Sequence, residues 1–286
     1  MQALFGTAGT PDEFRENGCK TSLQIPGFID RYGLDCFEYQ CGRGVNISEP
    51  TAQAFGQKAR EHGVSLSLHS PYYISLSSDK EESRLKSVDY ILQSARAAFA
   101  MGARRIVVHS GSCAKIPRAE ALALAKDTLQ RAQAALDEAG LSEIVLCPET
   151  MGKINQLGDV DEVIALCGVD KRFLPAIDFG HLNARTFGSL RRADDFLAVL
   201  DRFSSALGRE RMQHFHCHFS QIEWTNGGEK QHLTFDDQTF GPFPAPFIEA
   251  LVRGGYEPFV ICESAGTQAR DAKIMKDLYE KTLSAQ

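Results

Sequence analysis

Short apolar runs recur along the whole chain, and most of them stop on a side chain that can ionise. Val64-Ser65-Leu66-Ser67-Leu68 leads into His69, and Ile106-Val107-Val108 into His109. Ala176-Ile177 leads into Asp178, with His181 three residues on, and Phe215-His216-Cys217 leads into His218. Ile144-Val145-Leu146-Cys147-Pro148 stops on Glu149, and Phe259-Val260-Ile261-Cys262 on Glu263. Short apolar runs bounded by Gly, Pro or polar residues read as buried strands. The strands expected on this basis are 2–6, 34–39, 64–69, 104–109, 143–149, 173–178, 211–218 and 258–263.

Between the strands the apolar period becomes that of a helix. Residues 80–101 carry it in Leu85, Val88, Ile91, Leu92, Ala95 and Phe99, and 117–139 in Ala121, Leu122, Ala125, Leu129, Ala132 and Leu136. Further helices are expected at about 48–61, 158–167, 190–206, 243–254 and 268–283. Gly33, Gly63, Gly102, Gly140 and Gly255 stand where helices return to strands and suit left-handed caps. Pro117 and Pro244 suit first helical turns. Strand–helix alternation from end to end predicts an α/β fold, a (β/α)8 TIM barrel forming one domain over 1–286. A doubly wound open sheet is the rival, but no Gly-x-Gly-x-x-Gly follows the first strand and no phosphate-loop lysine occurs. The segment 219–242 is the one long irregular connection, and such loops are usually functional.

Composition adds little until charge is considered. Hydrophobic residues make up 43% and charged residues 24%, ample for a large core. No apolar run nears the ~20 residues of a membrane helix. Met1 to Gly9 lack a basic and a long apolar region, so no signal peptide is expected and the chain reads as a cytoplasmic monomer. Eight cysteines without a Cys-x-x-Cys pair read as reduced thiols. A net charge of −6 argues mildly against a surface coated in nucleic acid, yet it allows a local basic rim and omits any bound cations.

In a barrel, functional side chains come from the C-terminal ends of the strands, where the residues named above fall. Histidine suits zinc, and carboxylates bridge or tune ions. Alone, His69 or His109 would read as a half-buried, hydrogen-bonded histidine. Joined by Glu149 and Glu263 at one mouth, they require compensating charge, which points to metal. His214, His216 and His218 alternate along one strand and face the interior. His218 is the expected ligand, His216 a partner behind it, and His214 deeper and structural. His62, ahead of Gly63, reads as a surface or helix-capping residue.

These residues, in this order, resemble the endonuclease IV family of apurinic/apyrimidinic endonucleases, within the xylose-isomerase-like barrel superfamily. The matching stretches are His69-Ser-Pro-Tyr72, His109-Ser-Gly-Ser112, Glu149-Thr150, Asp178-Phe-Gly-His181, the His218 strand end and Glu263, across nearly the whole chain. The resemblance implies a centre of two or three zinc ions. One would be held by His69, His109 and Glu149. A second would share Glu149 and add Asp178, His218 and Glu263. The third would take His181 and the loop before the last helix pair. Where the family carries Asp-x-His, this chain reads Gly227-Gly228-Glu229-Lys230-Gln231-His232, which leaves Glu229 and His232 as ligands.

The same resemblance implies hydrolysis of the phosphodiester 5′ to an abasic site in damaged double-stranded DNA, with Glu149 and Glu263 as catalytic carboxylates. Tyr72 would lie near the abasic gap, and Arg43 would serve as a wedge or phosphate contact. Lys115, Arg118, Lys153, Arg185 and Lys230 fall on expected mouth loops as phosphate contacts. The alternative is a sugar isomerase or epimerase on the same scaffold. It needs a single Mn or Mg ion, for which Glu149, Asp178, His218 and Glu263 suffice. Glu38 at the end of the second strand and the acidic charge favour it; His69, His109, His181 and His232 count against it. A non-catalytic binder that kept the fold would have lost ligands, and only the Asp-x-His element is altered.

Overall fold

The computed structural model describes residues 2–285. Eight parallel strands form its centre: β1 (Leu4–Ala8), β2 (Cys36–Gln40), β3 (Ser65–His69), β4 (Arg105–His109), β5 (Val145–Glu149), β6 (Ala176–Asp178), β7 (His216–Phe219) and, after a hairpin of β8 (Ile222–Thr225) and β9 (Gly228–His232), β10 (Phe259–Cys262). They close in the order β1-β10-β7-β6-β5-β4-β3-β2. The expected (β/α)8 barrel is therefore the observed fold.

The helices are α1 (Asp12–Glu16), α2 (Ile25–Arg31), α3 (Glu49–Glu61), α4 (Glu81–Met101), α5 (Arg118–Glu138), α6 (Val160–Cys167), α7 (Phe179–Arg185), α8 (Ala193–Leu207), α9 (Arg209–Met212), α10 (Pro244–Gly254) and α11 (Gln268–Ser284). Gly102 (φ 80°) and Gly255 (φ 62°) close α4 and α10 in the left-handed region, where a side chain would be strained. The main apolar core lies between strands and helices, where Phe179, Phe196, Phe219 and Phe247 pack ring to ring. Inside the barrel, Cys36, Phe259 and Ile261 form one small apolar cluster and Val107, Cys147 and Ala176 another. Glu38, Ser67 and His216 are buried beside them, so the interior is polar well below the mouth.

Several expected boundaries move. The first strand is Leu4–Ala8 rather than 2–6. The range 173–178 keeps only its last three residues. The range 211–218 loses 211–215, because Arg211 donates to the carbonyls of Cys167, Asp170 and Phe173 and holds that segment against the end of α6. A helix, α7, starts directly after β6 where none was expected. The Asp178 carboxylate caps it by accepting the His181 amide at 2.7 Å. All eight cysteines are free, as expected.

A candidate metal centre at the barrel mouth

The barrel brings the expected side chains to one recess. His69, His109 and Glu149 end β3, β4 and β5; Asp178 ends β6; Glu263 follows β10. His218 points inward from β7, and His181 reaches the recess from the first turn of α7 rather than from a strand end. Glu149 is central. Its Oε2 lies 3.4 Å from both His69 Nε2 and His109 Nε2. Its Oε1 lies 3.0 Å from His218 Nδ1 and 3.5 Å from His181 Nδ1. The ligand atoms of Glu149, Asp178, His218 and Glu263 all lie within 4.8 Å of one another.

Neighbouring groups aim the rings. His69 Nδ1 lies 2.8 Å from the Ser70 carbonyl, so that nitrogen carries a proton and Nε2 is the atom turned to the recess. His181 Nδ1 lies 2.9 Å from the Thr150 carbonyl, and its Nε2 is 3.4 Å from Glu229 Oε2. His232 Nδ1 lies 2.8 Å from the Ser220 hydroxyl. His181, Glu229 and His232 form a separate three-residue group.

The departure from Asp-x-His is resolved by a β-bulge. In a regular strand, residues three apart face opposite sides. Here Glu223 pairs with Gln231 but Trp224 pairs with Glu229, so Lys230 is an extra residue without a partner. The bulge resets the alternation. Lys230 and Gln231 point to solvent, while Glu229 and His232 are half-buried on the recess side. Two glycines let the hairpin dock: a Cβ on Gly228 would lie 2.2 Å from the Gly152 carbonyl oxygen, and one on Gly152 would lie 2.6 Å from Glu229 Cβ.

The donor set fits cations. Glu149 Oε2 and Asp178 Oδ2 are buried without a hydrogen-bond partner, a costly state for a carboxylate unless a cation faces it. Two ligands ~2.1 Å from a tetrahedral zinc ion stand about 3.4 Å apart, the spacing of Glu149 Oε2 from the His69 and His109 nitrogens. Burial opposes the Glu149 charge, but His218, His69 and His109 hold its carboxyl well below the usual range. Burial pushes Asp178 up to about 6. Burial also pushes His109 down to about 4, which leaves its ring neutral as a ligand must be. At His69 and His181 burial works downward too, yet the adjacent carboxylates carry both up to about 9. The carboxylates thus draw positive charge inward, from protons where no metal supplies it.

The rim differs from expectation. Tyr72 lines the recess and is 54% exposed; Arg43 is exposed on the turn after β2, next to Gly42, which lines the recess. Three of the five expected phosphate contacts are tied elsewhere. Arg185 is buried and donates to the Met151, Lys153 and Gln156 carbonyls. Arg118 donates to Ile154 and Gln156 carbonyls and pairs with Glu162. Lys230 pairs with Glu223 at 2.7 Å. These groups serve to shape loop 151–156 and the hairpin. Lys115 lines a different pocket, beside Ser77 and Ser112. Lys153 is the one lysine or arginine among the described residues lining the recess.

His62 caps α3 and pairs with Asp30 at 2.8 Å, as its surface reading expected. His214 is not deep: it precedes β7, its side chain is 39% exposed, and Nδ1 lies 3.0 Å from the Glu257 carbonyl. His216 is fully buried behind His218. Glu38, outside the expected site, is fully buried against both rings. It was expected only as support for the isomerase alternative; the alternation that put His216 and His218 on the inner face puts Cys36, Glu38 and Gln40 there as well, next to the metal centre.

Comparisons with known proteins place the chain in a family. An uncharacterized protein of Methanocaldococcus jannaschii is 30% identical over 282 residues, covering 96% of this chain and 97% of that protein. A probable endonuclease 4 of Shouchella clausii is 28% identical over 219 residues, 72% of each chain. The fold is that of endonuclease IV from Thermus thermophilus (TM-score 0.72, 19% identity, 98% of this chain and 100% of that one). It is equally that of a D-tagatose 3-epimerase-like protein (TM-score 0.69, 19% identity, 99% and 98%). A family described as xylose isomerase-like TIM barrel matches residues 27–281, and the chain belongs to that family.

Proposed function

We propose that this protein is a metal-dependent phosphodiester hydrolase that cuts damaged double-stranded DNA 5′ to an abasic site. The observation that carries the reading is the number of ligand candidates. His69, His109, His181, Glu229 and His232 stand beside a quartet, Glu149, Asp178, His218 and Glu263, that would already hold one ion. The likeness to a probable endonuclease 4 supports it.

In this reading His69, His109 and Glu149 would hold one zinc ion, Glu149, Asp178, His218 and Glu263 a second, and His181, Glu229 and His232 a third; manganese would suit the carboxylate-rich group. Bound there, such ions supply Lewis acidity toward phosphate oxygens and an acidified water. Glu149, placed between the first two groups, would accept the proton of the attacking water, and the 3′ oxygen released as its P–O bond breaks would take up a proton from solvent. Glu263, at the edge of the recess, orients that water. The recess, about 370 Å³, admits one sugar-phosphate unit and not a duplex, so the abasic nucleotide leaves the stack to enter. Tyr72 stacks in the gap left behind, while Arg43 and Lys153 meet backbone phosphates.

A sugar isomerase or epimerase is the second reading, favoured by the scarcity of free cations around the recess and by the complete quartet. Purified protein loaded with zinc is tested on a duplex holding a single abasic site. The reading expects a nick on the 5′ side of the lesion, abolished by chelation. An intact duplex at every zinc concentration contradicts it.

A further inference from the structure

Below the mouth lies a carboxylate that the proposed ligand sets leave unused. Glu38 projects from the middle of β2 into the barrel and is fully buried. Its Oε2 lies 2.9 Å from His216 Nε2 and accepts the Ser67 hydroxyl at 2.9 Å. Its Oε1 lies 3.0 Å from His218 Nε2 and accepts the Gln40 amide at 3.1 Å. With both rings donating, four donors occupy the two oxygens and the group works as a hydrogen-bonding hub, although Glu38, His216 and His218 also stand close enough to hold an ion, the two Nε2 atoms being 3.2 Å apart. His216 is tied to it by the same edge. Its Nδ1 is buried without a partner, and its ring stacks on Phe259 with centroids 5.4 Å apart.

An ionised carboxylate only accepts hydrogen bonds, so the His218 Nε2 facing it carries the proton. The other nitrogen, Nδ1, faces the mouth carboxylates, 3.0 Å from Glu149 Oε1 and 3.6 Å from Glu263 Oε1, so it carries a proton where no cation stands there and would give its lone pair to a cation that does. We propose that Glu38 is the positioning residue of the metal centre, fixing the tautomer and ring orientation of His218 so that Nδ1 faces the mouth carboxylates. The inference rests on His218 as a ligand, which both readings of the substrate share. Ser67 and Gln40 hold Glu38 in turn. A carboxylate behind a ligating histidine raises its basicity and orients its ring, and losing such a partner costs about 10–100-fold in metal affinity.

The test is zinc affinity by chelator competition, with cobalt(II) absorption as a second readout, on wild type, Glu38→Gln and Ser67→Ala. Glutamine keeps the shape but offers one acceptor oxygen to two ring N–H groups. Glu38→Gln is expected to lose about 10–100-fold in zinc affinity and to alter the cobalt spectrum. Ser67→Ala keeps the carboxylate and is expected to lose less, in the same direction. Ser67→Ala alone decides the matter where Glu38→Gln does not fold. Variants that bind zinc as tightly as wild type with an unchanged cobalt spectrum overturn the inference, even where their melting temperatures fall. A wild type that binds no zinc removes the ligand reading itself, and the inference with it.

Discussion

Glu149 is where the proposed ligand groups meet, one oxygen toward His69 and His109 and the other toward His218 and His181. Glu149→Ala is therefore expected to lower the zinc content by more than one ion per chain, and His109→Ala by no more than one; elemental analysis of zinc-loaded protein checks both. Equal losses would contradict the shared role. The basic residues divide in a similar way. Arg185→Ala leaves three carbonyls without their donor and is expected to cost about 3 kcal/mol, read as a lower melting temperature. Lys153→Ala is expected to leave melting unchanged and to reduce the salt slope of duplex binding by about 1. The ionisable strand ends were legible because a charged group closing an apolar run has few innocent explanations. The fate of the arginines was not, because whether a loop cation meets a phosphate or a backbone carbonyl depends on how the loop folds around it.

The hairpin of β8 and β9 makes the third group, and its bulge is the device. Deleting Lys230 would restore a regular ladder with Glu229 and His232 two apart, still on one face, so the zinc content is expected to hold. Inserting one residue between Glu223 and Trp224 would give Lys230 a partner and turn Glu229 and His232 to opposite faces. That variant is expected to lose one zinc ion per chain, and a variant that keeps its full complement would contradict the bulge argument. The segment 219–242 stood out in the sequence as long and irregular, but the bulge did not, since a bulge is a property of two strands in register. The helix over Phe179–Arg185 was equally hidden. Asp178 acts both as a mouth carboxylate and as its cap, and a strand-end reading of Asp178-Phe-Gly-His181 contains only the first role. The loss of 211–215 from β7 has the same origin, a contact from Arg211 to a distant helix end.

Across the molecule, the barrel class followed from the alternation of periods, and the strand order is the one a (β/α)8 topology requires. The barrel interior departs from the usual apolar filling, with Glu38, Glu149, Asp178, His216 and His218 all buried in or above it. On the proposed reading, cations bound at the mouth would neutralise such an interior and stabilise it. Zinc at 100 times its dissociation constant is expected to add about 2.7 kcal/mol, so the melting temperature should rise on loading and fall on chelation. Among the described residues no helix is long and apolar enough to cross a membrane. The central claim is that nine side chains form three adjacent metal positions, two of them sharing Glu149 and the third built on the hairpin. Anomalous scattering at the zinc edge from crystals of the zinc-loaded protein tests it most directly. The account predicts three peaks: one beside His69 and His109, one within the quartet, and one between His181, Glu229 and His232. A single peak within the quartet would contradict it.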